Sequence, residues 1–153
     1  MLLEFFRNWG RVSGRQSGAL PYVIVDNRVV FLLVTARRTG RWIFPKGSIS
    51  AGMSPWDSAA KEAMEDAGVT GEISRDVIGT YWITDKGRRT AVDLYPMSVE
   101  QQFDSWKEKE QRLRHWALLP EVQRLIADRA LARIASDLQQ KLQRRPSRRR
   151  RSG

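Results

Sequence analysis

The sequence predicts a mixed α/β chain, expected to fold as an α/β/α sandwich around a mixed β-sheet, and three observations carry that expectation. Short runs rich in β-branched and aromatic residues recur between turn signals, as strands require. One segment near the middle is bounded at both ends by helix signals, and a last segment carries apolar residues at helical spacing. At 153 residues the chain has the usual size of one domain, long enough to bury roughly two-thirds of its unfolded surface. The expected division is an N-terminal extension over 1–18, a domain over 19–142 and a disordered Arg-rich tail over 143–153.

The elements follow in order. Ala19–Val25 and Arg28–Thr35 read as strands joined by a hairpin turn at Asp26-Asn27. Thr39-Gly40 marks a second turn before a short strand, Trp42–Phe44. The helix runs from Pro55 to Ala67: Ser54 is a good N-cap, Pro55 fits the first helical position, Asp57 favours the helix dipole from the third, and Gly68 supplies a stop. Ala59, Ala60, Ala63 and Ala67 give this helix a small-residue face able to pack closely on a sheet. Gly71–Thr84 reads as one long or bulged strand interrupted at Gly79, and Lys86–Arg89 as a basic turn leading into a strand over Ala91–Val99. A polar loop, Glu100–Arg114, precedes a short strand near Trp116–Leu118. Pro120 then opens a final helix whose Val122, Leu125, Ile126, Ala130, Ile134 and Leu138 trace one stripe.

The chemistry lies on the central helix. Glu62, Glu65 and Asp66 stand at i, i+3 and i+4, within a sector of roughly 100°. Three carboxylates on one face repel one another, and in the last turns of a helix they also oppose its dipole, so local stability would not select them. Hard oxygen donors at this density suit Mg²⁺ or Mn²⁺, commonly held by carboxylates together with substrate phosphates. The opposing reading is an acidic face that is simply solvated.

The stretch Gly47–Val69 resembles a Nudix box, G-x5-E-x7-R-E-U-x-E-E-x-G-U. Gly47, Glu62, Glu65, Gly68 and Val69 match outright, Asp66 replaces the last Glu, and Ala63 is a small version of the aliphatic position. Trp42-Ile-Phe-Pro-Lys-Gly47 is similar to the W-x-x-P-x-G lead-in of that family, and the order of elements resembles it from about Ala19 to Ile134. Two positions depart. Met53 stands where the box has its first Glu, and a thioether is a poor ligand for a hard cation. Lys61 stands for the Arg and lacks its planar fork. The resemblance implies a Nudix-type sandwich and a pyrophosphohydrolase in which Glu62, Glu65, Asp66 and the Lys46 backbone carbonyl hold Mg²⁺, with Mn²⁺ as the other candidate. It implies a catalytic role for Glu62 or Glu65 on the attacking water, with Lys61 beside them, and Glu108 or Glu110 of the polar loop as a second candidate base.

Three basic groups accompany the box. Arg37, Arg38 and Arg41 surround a turn, followed by Lys46; Lys86, Arg88 and Arg89 form the second group; Arg112 and Arg114 form the third. Each alone reads as a solvated loop, whereas together they can converge on a highly anionic substrate. The flanks Arg37–Gly47 and Arg112–Trp116 look like the corresponding parts of diphosphoinositol polyphosphate phosphohydrolases, a branch that also cleaves diadenosine polyphosphates. The expected activity is therefore cleavage of a diphosphate bond in diphosphoinositol polyphosphates or dinucleoside polyphosphates. The alternatives are a nucleoside-diphosphate-linked substrate or an RNA 5′ end, and, from another class, a degraded domain that binds a phosphate ligand or RNA.

The net charge is +10, and six arginines in the last ten residues carry +6 of it. That tail can bind nucleic acid or an anionic surface by counterion release, or serve only as a solvated end. No aromatic residue lies among its arginines, so it offers no stacking platform for bases. The absence of Cys excludes disulfides and thiolate metal sites. The first residues lack the pattern of a signal peptide, and Val29–Val34 falls far short of the roughly 20 apolar residues of a membrane span. The expected compartment is the cytoplasm. The single histidine, His115, reads as structural or exposed, and Trp42 and Trp56 as packing residues.

Overall fold

Asp26 and Asn27 both take positive φ, 50° and 62°, and so form the tight turn whose twist matches the strands it joins. In the computed structural model, which describes residues 14–151 and side chains as far as Arg144, this turn links β1 (Arg15–Val25) to β2 (Arg28–Thr35). Six further strands complete one sheet: β3 (Trp42–Ile43), β4 (Lys46–Ser48), β5 (Val69–Ile73), β6 (Gly79–Asp85), β7 (Arg88–Gln102) and β8 (Arg114–Leu118). The main path is β3-β2-β1-β7-β5, with β4 on β1, β6 on β7 and β8 on β2. The β1–β7 pair is parallel and every other pair is antiparallel, so the sheet is mixed, as expected.

Helix α1 (Pro55–Ala67) has the limits read from the sequence. Ser54 accepts a hydrogen bond from the Asp57 amide, and Gly68 closes the helix in the left-handed region at φ 68°, where a Cβ would be strained. Ala59, Ala63 and Ala67 are fully buried against Ala19, Leu32, Val34, Val69 and Met97. The absence of larger side chains lets the helix axis approach the sheet closely, and that approach sets the height of its carboxylates. On the opposite face α2 (Leu119–Leu125) and α3 (Arg129–Arg151) cover Leu20, Phe31, Leu33, Val92 and Leu94. The result is the expected α/β/α arrangement.

Several boundaries differ from the sequence reading: β4 was not foreseen, and β7 extends past the expected Ala91–Val99 at both ends. The run Gly71–Thr84 is two strands, because β5 and β6 pair with opposite halves of β7. Between them the Ser74 amide donates to Pro96 and the Ile78 amide to Leu94, so the connection bulges out past Tyr95. The final helix is broken: Ile126 is extended (φ −84°, ψ 117°), and Asp128 restarts the helix by accepting from the amides of Ala130 and Leu131. β1 begins at Arg15 rather than Ala19, because its first residues are held by both β4 and β7. Residues 1–13 of the expected extension lie outside the described residues. The backbone of α3 continues to Arg151, through the stretch expected as a disordered tail, while the side chains beyond Arg144 lie outside the described residues. Among the described residues no helix is long and apolar enough to cross a membrane.

Candidate active site

Strand β4 passes beneath the C-terminal half of α1, and the contact is possible because residue 47 is glycine. A Cβ there would lie 2.4 Å from Oε1 of Glu62, so the carboxylate rests directly on the β4 backbone. One residue earlier, the Lys46 amide donates to Oδ2 of Asp66 at 3.4 Å. The structure thus sets the amide of Lys46 against the acidic cluster. Asp66 is 1% exposed, and its Oδ1 accepts no hydrogen bond. The nearest cation to that oxygen is Arg112, 3.6 Å away. Burial, helped by Glu62 and Glu108 and opposed by Arg112, pushes the Asp66 carboxyl up to about 7. Burial and then Glu65 likewise push Glu62 above the ordinary carboxylate range.

The loop between β7 and β8 supplies the fourth acid. The Glu108 amide donates to the Glu65 carbonyl at 3.1 Å, which fixes the loop to α1. Arg112 then donates through Nε to Glu108 at 2.7 Å and through a terminal nitrogen to the Thr35 carbonyl at 2.9 Å. Glu108 also lies 3.7 Å from Arg37. Its neighbour in the reading, Glu110, is exposed and makes no ion pair among the described residues. Glu65 faces Lys61 at 3.5 Å and Lys107 at 3.6 Å, and Lys61 also donates to the Ser50 hydroxyl.

A cleft of about 730 Å³ opens beside this cluster between the 36–41 turn and the β6–β7 hairpin. Arg37, Arg38, Arg41, Lys46, Lys86 and Arg112 all line it, so members of the three basic groups do converge. The Lys46 ammonium donates to Gln16, whose amide in turn donates to Asp85. Burial lowers the Lys46 pKa against the opposing pull of Asp85 and Asp66. Arg88, Arg89 and Arg114 are not in the lining. Arg88 is exposed on the hairpin, and Arg89 lies 4.7 Å from the Trp82 ring centre. Arg114 is engaged elsewhere: it donates to the Ala67 carbonyl at the end of α1 and stacks on Trp106 at 3.9 Å. Met53, in the box's first Glu position, is 40% exposed.

Several participants escaped the sequence reading. Gln16 lay in the supposed extension, Trp82 in a strand read only for its β propensity, and Asp85 between that strand and the basic turn.

The donor set suits a hard divalent cation: Glu62, Glu65, Asp66 and Glu108 are all carboxylates, and one buried oxygen of Asp66 has no hydrogen-bond donor. Among the described residues no three acidic or histidine side chains are gathered closely enough to form a ready metal cage. A cation placed among these acids would reverse the upward shifts that burial imposes.

A sheet with α1 on one face, carrying these carboxylates over Gly47, places the chain in a known class. The NUDIX domain model matches residues 15–138, and the chain belongs to the Nudix hydrolase family, whose members generally use a divalent metal such as Mg²⁺. Nudix hydrolase 4 of Arabidopsis thaliana is 34% identical over 100 residues, covering 63% of this chain and 48% of the relative. Diphosphoinositol polyphosphate phosphohydrolase 2 of Rattus norvegicus is 32% identical over 89 residues, covering 57% of this chain and 48% of the relative. The chain therefore spans about half the length of these curated relatives. The solved Ap4A hydrolase of C. elegans superposes with a TM-score of 0.71 at 20% identity, covering 84% of this chain and 98% of that one, and supports the fold.

Proposed function

We propose that the chain is a Mg²⁺-dependent hydrolase that cleaves a diphosphate bond in diphosphoinositol polyphosphates or dinucleoside polyphosphates. One observation carries the reading: a cleft lined by six cationic side chains adjoins the acidic cluster through Lys46, whose amide donates to Asp66, and Arg112, which pairs with Asp66 and Glu108; two of the clustered carboxyls have raised pKa. Arg37, Arg38 and Arg41 draw in and orient the polyphosphate, and Lys46 neutralises a phosphoryl oxygen near the acids. Glu62, Glu65, Asp66 and Glu108 would hold Mg²⁺, which when bound offsets charge developing on the transferred phosphoryl group. Glu62, resting on Gly47, orients the attacking water and accepts its proton; Glu108 is the second candidate. Arg112 keeps Glu108 and Asp66 side by side. The cytoplasmic setting expected from composition belongs to the same proposal.

Phosphate release from a panel of pyrophosphate compounds, with and without Mg²⁺, tests this reading. Glu65→Gln should leave α1 folded and remove most Mg²⁺-dependent turnover, because an amide cannot replace an anionic ligand; undiminished turnover overturns the assignment. The binding-only reading is favoured by Met53, where the box has an acid. Met53→Glu should change the rate by less than about tenfold, roughly 1.4 kcal/mol of barrier. A gain of several hundredfold would mean the natural chain is catalytically degraded.

A further inference from the structure

Four consecutive carbonyls, those of residues 65–68, close α1, and the chain from the end of β7 to the start of β8 donates to every one of them. The Glu65 carbonyl accepts from the Glu108 amide at 3.1 Å and the Asp66 carbonyl from the Trp106 indole Nε1 at 3.1 Å. The Ala67 carbonyl accepts from Arg114 at 2.9 Å and the Gly68 carbonyl from the Phe103 amide at 2.8 Å. The final carbonyls of a helix have no partners within it, and water can serve them where the end is open. Gly68 already stops α1 by donating its amide to Ala63 and Met64, so the loop is not needed to end the helix. What the loop fixes is its own position. The Trp106 carbonyl accepts from the Lys109 amide, and the Glu108 carbonyl from the amides of Gln111 and Arg112, so residues 106–112 form one folded unit. Within that unit Glu108 meets Arg112, and Arg112 reaches Asp66. Any residue type could supply the two amide donors, whereas the bond to Asp66 needs a side chain of a particular reach. The indole is half-buried on the helix end. A Cβ at Gly68 would lie 2.9 Å from two of its ring carbons, so the glycine that ends α1 also makes room for the ring. Arg114 stacks on it at 3.9 Å.

We propose that Trp106 is a positioning residue: its indole, bonded to the Asp66 carbonyl, docks the β7–β8 loop on the end of α1 in the register that brings the Glu108 carboxylate to the acidic cluster. Backbone donors fit any carbonyl of the row equally well, and the indole selects one. The inference rests on the proposed use of the cluster in hydrolysis, and it names what places the fourth acid.

The test compares the full natural chain with Trp106→Phe, Glu108→Gln and the double variant. Phenylalanine keeps a ring beside Arg114 and removes the indole donor. Docking is read first, without metal or substrate, as amide hydrogen exchange at Phe103 and Glu108. Trp106→Phe should speed exchange at both about 5- to 10-fold, the scale of one lost hydrogen bond, while amides inside α1 keep their natural rates. Turnover is read second, as Mg²⁺-dependent phosphate release from the pyrophosphate panel. Trp106→Phe should lower kcat about 10- to 100-fold, as misplacement of a reacting group does, with KM within about threefold. The double variant should turn over within about twofold of Glu108→Gln alone, because a misplaced Glu108 and a neutralised one are the same loss. Natural exchange at Glu108 in Trp106→Phe overturns the proposal, as does equal speeding throughout α1. Natural turnover in either single variant, or losses that multiply in the double, overturns it too, and an unfolded Trp106→Phe would assign the indole to the fold instead. A natural chain that releases no phosphate, but whose Glu108 exchange depends on Trp106, loses the hydrolase reading and keeps the docking. A chain that hydrolyses the panel and whose Glu108 exchange ignores Trp106 loses only the docking.

Discussion

Gly47→Ala separates the positioning of Glu62 from the stability of the fold. The backbone at residue 47 is extended strand paired with Ser17, so alanine is conformationally acceptable there. The obstacle is the Glu62 carboxylate, whose three end atoms lie 2.4, 2.5 and 2.8 Å from the new methyl carbon. Ordinary contact begins near 3.4 Å, so the carboxylate must retreat by about 1 Å. It is the far end of a flexible, half-exposed side chain and can do so at small cost, about 1 kcal/mol or less. Catalysis is less forgiving, because a misplacement of about 1 Å in a group that orients a reactant costs on the order of 10² in rate. The expectation is a near-natural melting curve with turnover about a hundredfold lower. Mg²⁺-dependent phosphate release, followed beside thermal unfolding, measures both. Natural turnover in Gly47→Ala would refute the role of Glu62. A large fall in melting temperature would show that Gly47 serves the fold instead.

Three further outcomes follow from the same geometry. The Asp66 pKa is raised from 3.8 to about 7 in the folded chain, so in that interval the folded state holds a proton that the unfolded state has released. In chelator, stability should therefore fall as pH rises through this window; Asp66→Asn should flatten the fall, and added Mg²⁺ should stabilise most at its upper end, all read as melting temperature against pH. Arg38→Ala should raise KM with much of kcat surviving, as for lost uniform binding, and the affinity of the natural chain should fall with salt; kinetics equal to the natural chain would make Arg38 a solvated loop residue. Arg114→Met should cost about 1–2 kcal/mol in denaturant unfolding by releasing the end of α1, while kcat stays within a few fold; a selective loss of substrate affinity would return Arg114 to the cleft.

Local chemistry was legible and distant partnership was not. The limits of α1 could be read because Ser54, Pro55 and Gly68 act on their own neighbours. The break at Ile126 could not, since the apolar stripe continues across it and only the cap at Asp128 betrays the restart. Arg112 and Arg114 look alike in sequence, two positions apart. Both reach the C-terminal end of α1, yet one enters the carboxylate cluster at Asp66 and the other caps the helix at the Ala67 carbonyl. Glu108 is set apart from Glu110 by partners distant in sequence or folded back on it, its amide held by Glu65 and its carboxylate by Arg112. The spacing of Glu62, Glu65 and Asp66 put them on one face, but the burial that raises the pKa of Glu62 and Asp66 is something no helical periodicity reveals.

The parallel pairing of β1 with β7 has a consequence for how the molecule is made. Arg15 meets Asp93 across 78 positions of sequence, and the same few residues of β1 anchor β4 beneath the carboxylates. A ribosome has therefore extruded the 37–41 turn, helix α1 and strands β5 and β6 before β1 and β7 can pair. Closing so long a loop is entropically slow, and non-local pairing of this kind delays folding. The first half of β1 is among the last segments to be secured, and a nascent chain halted before β7 has every box residue but lacks the strand that pairs with the same β1 residues as β4.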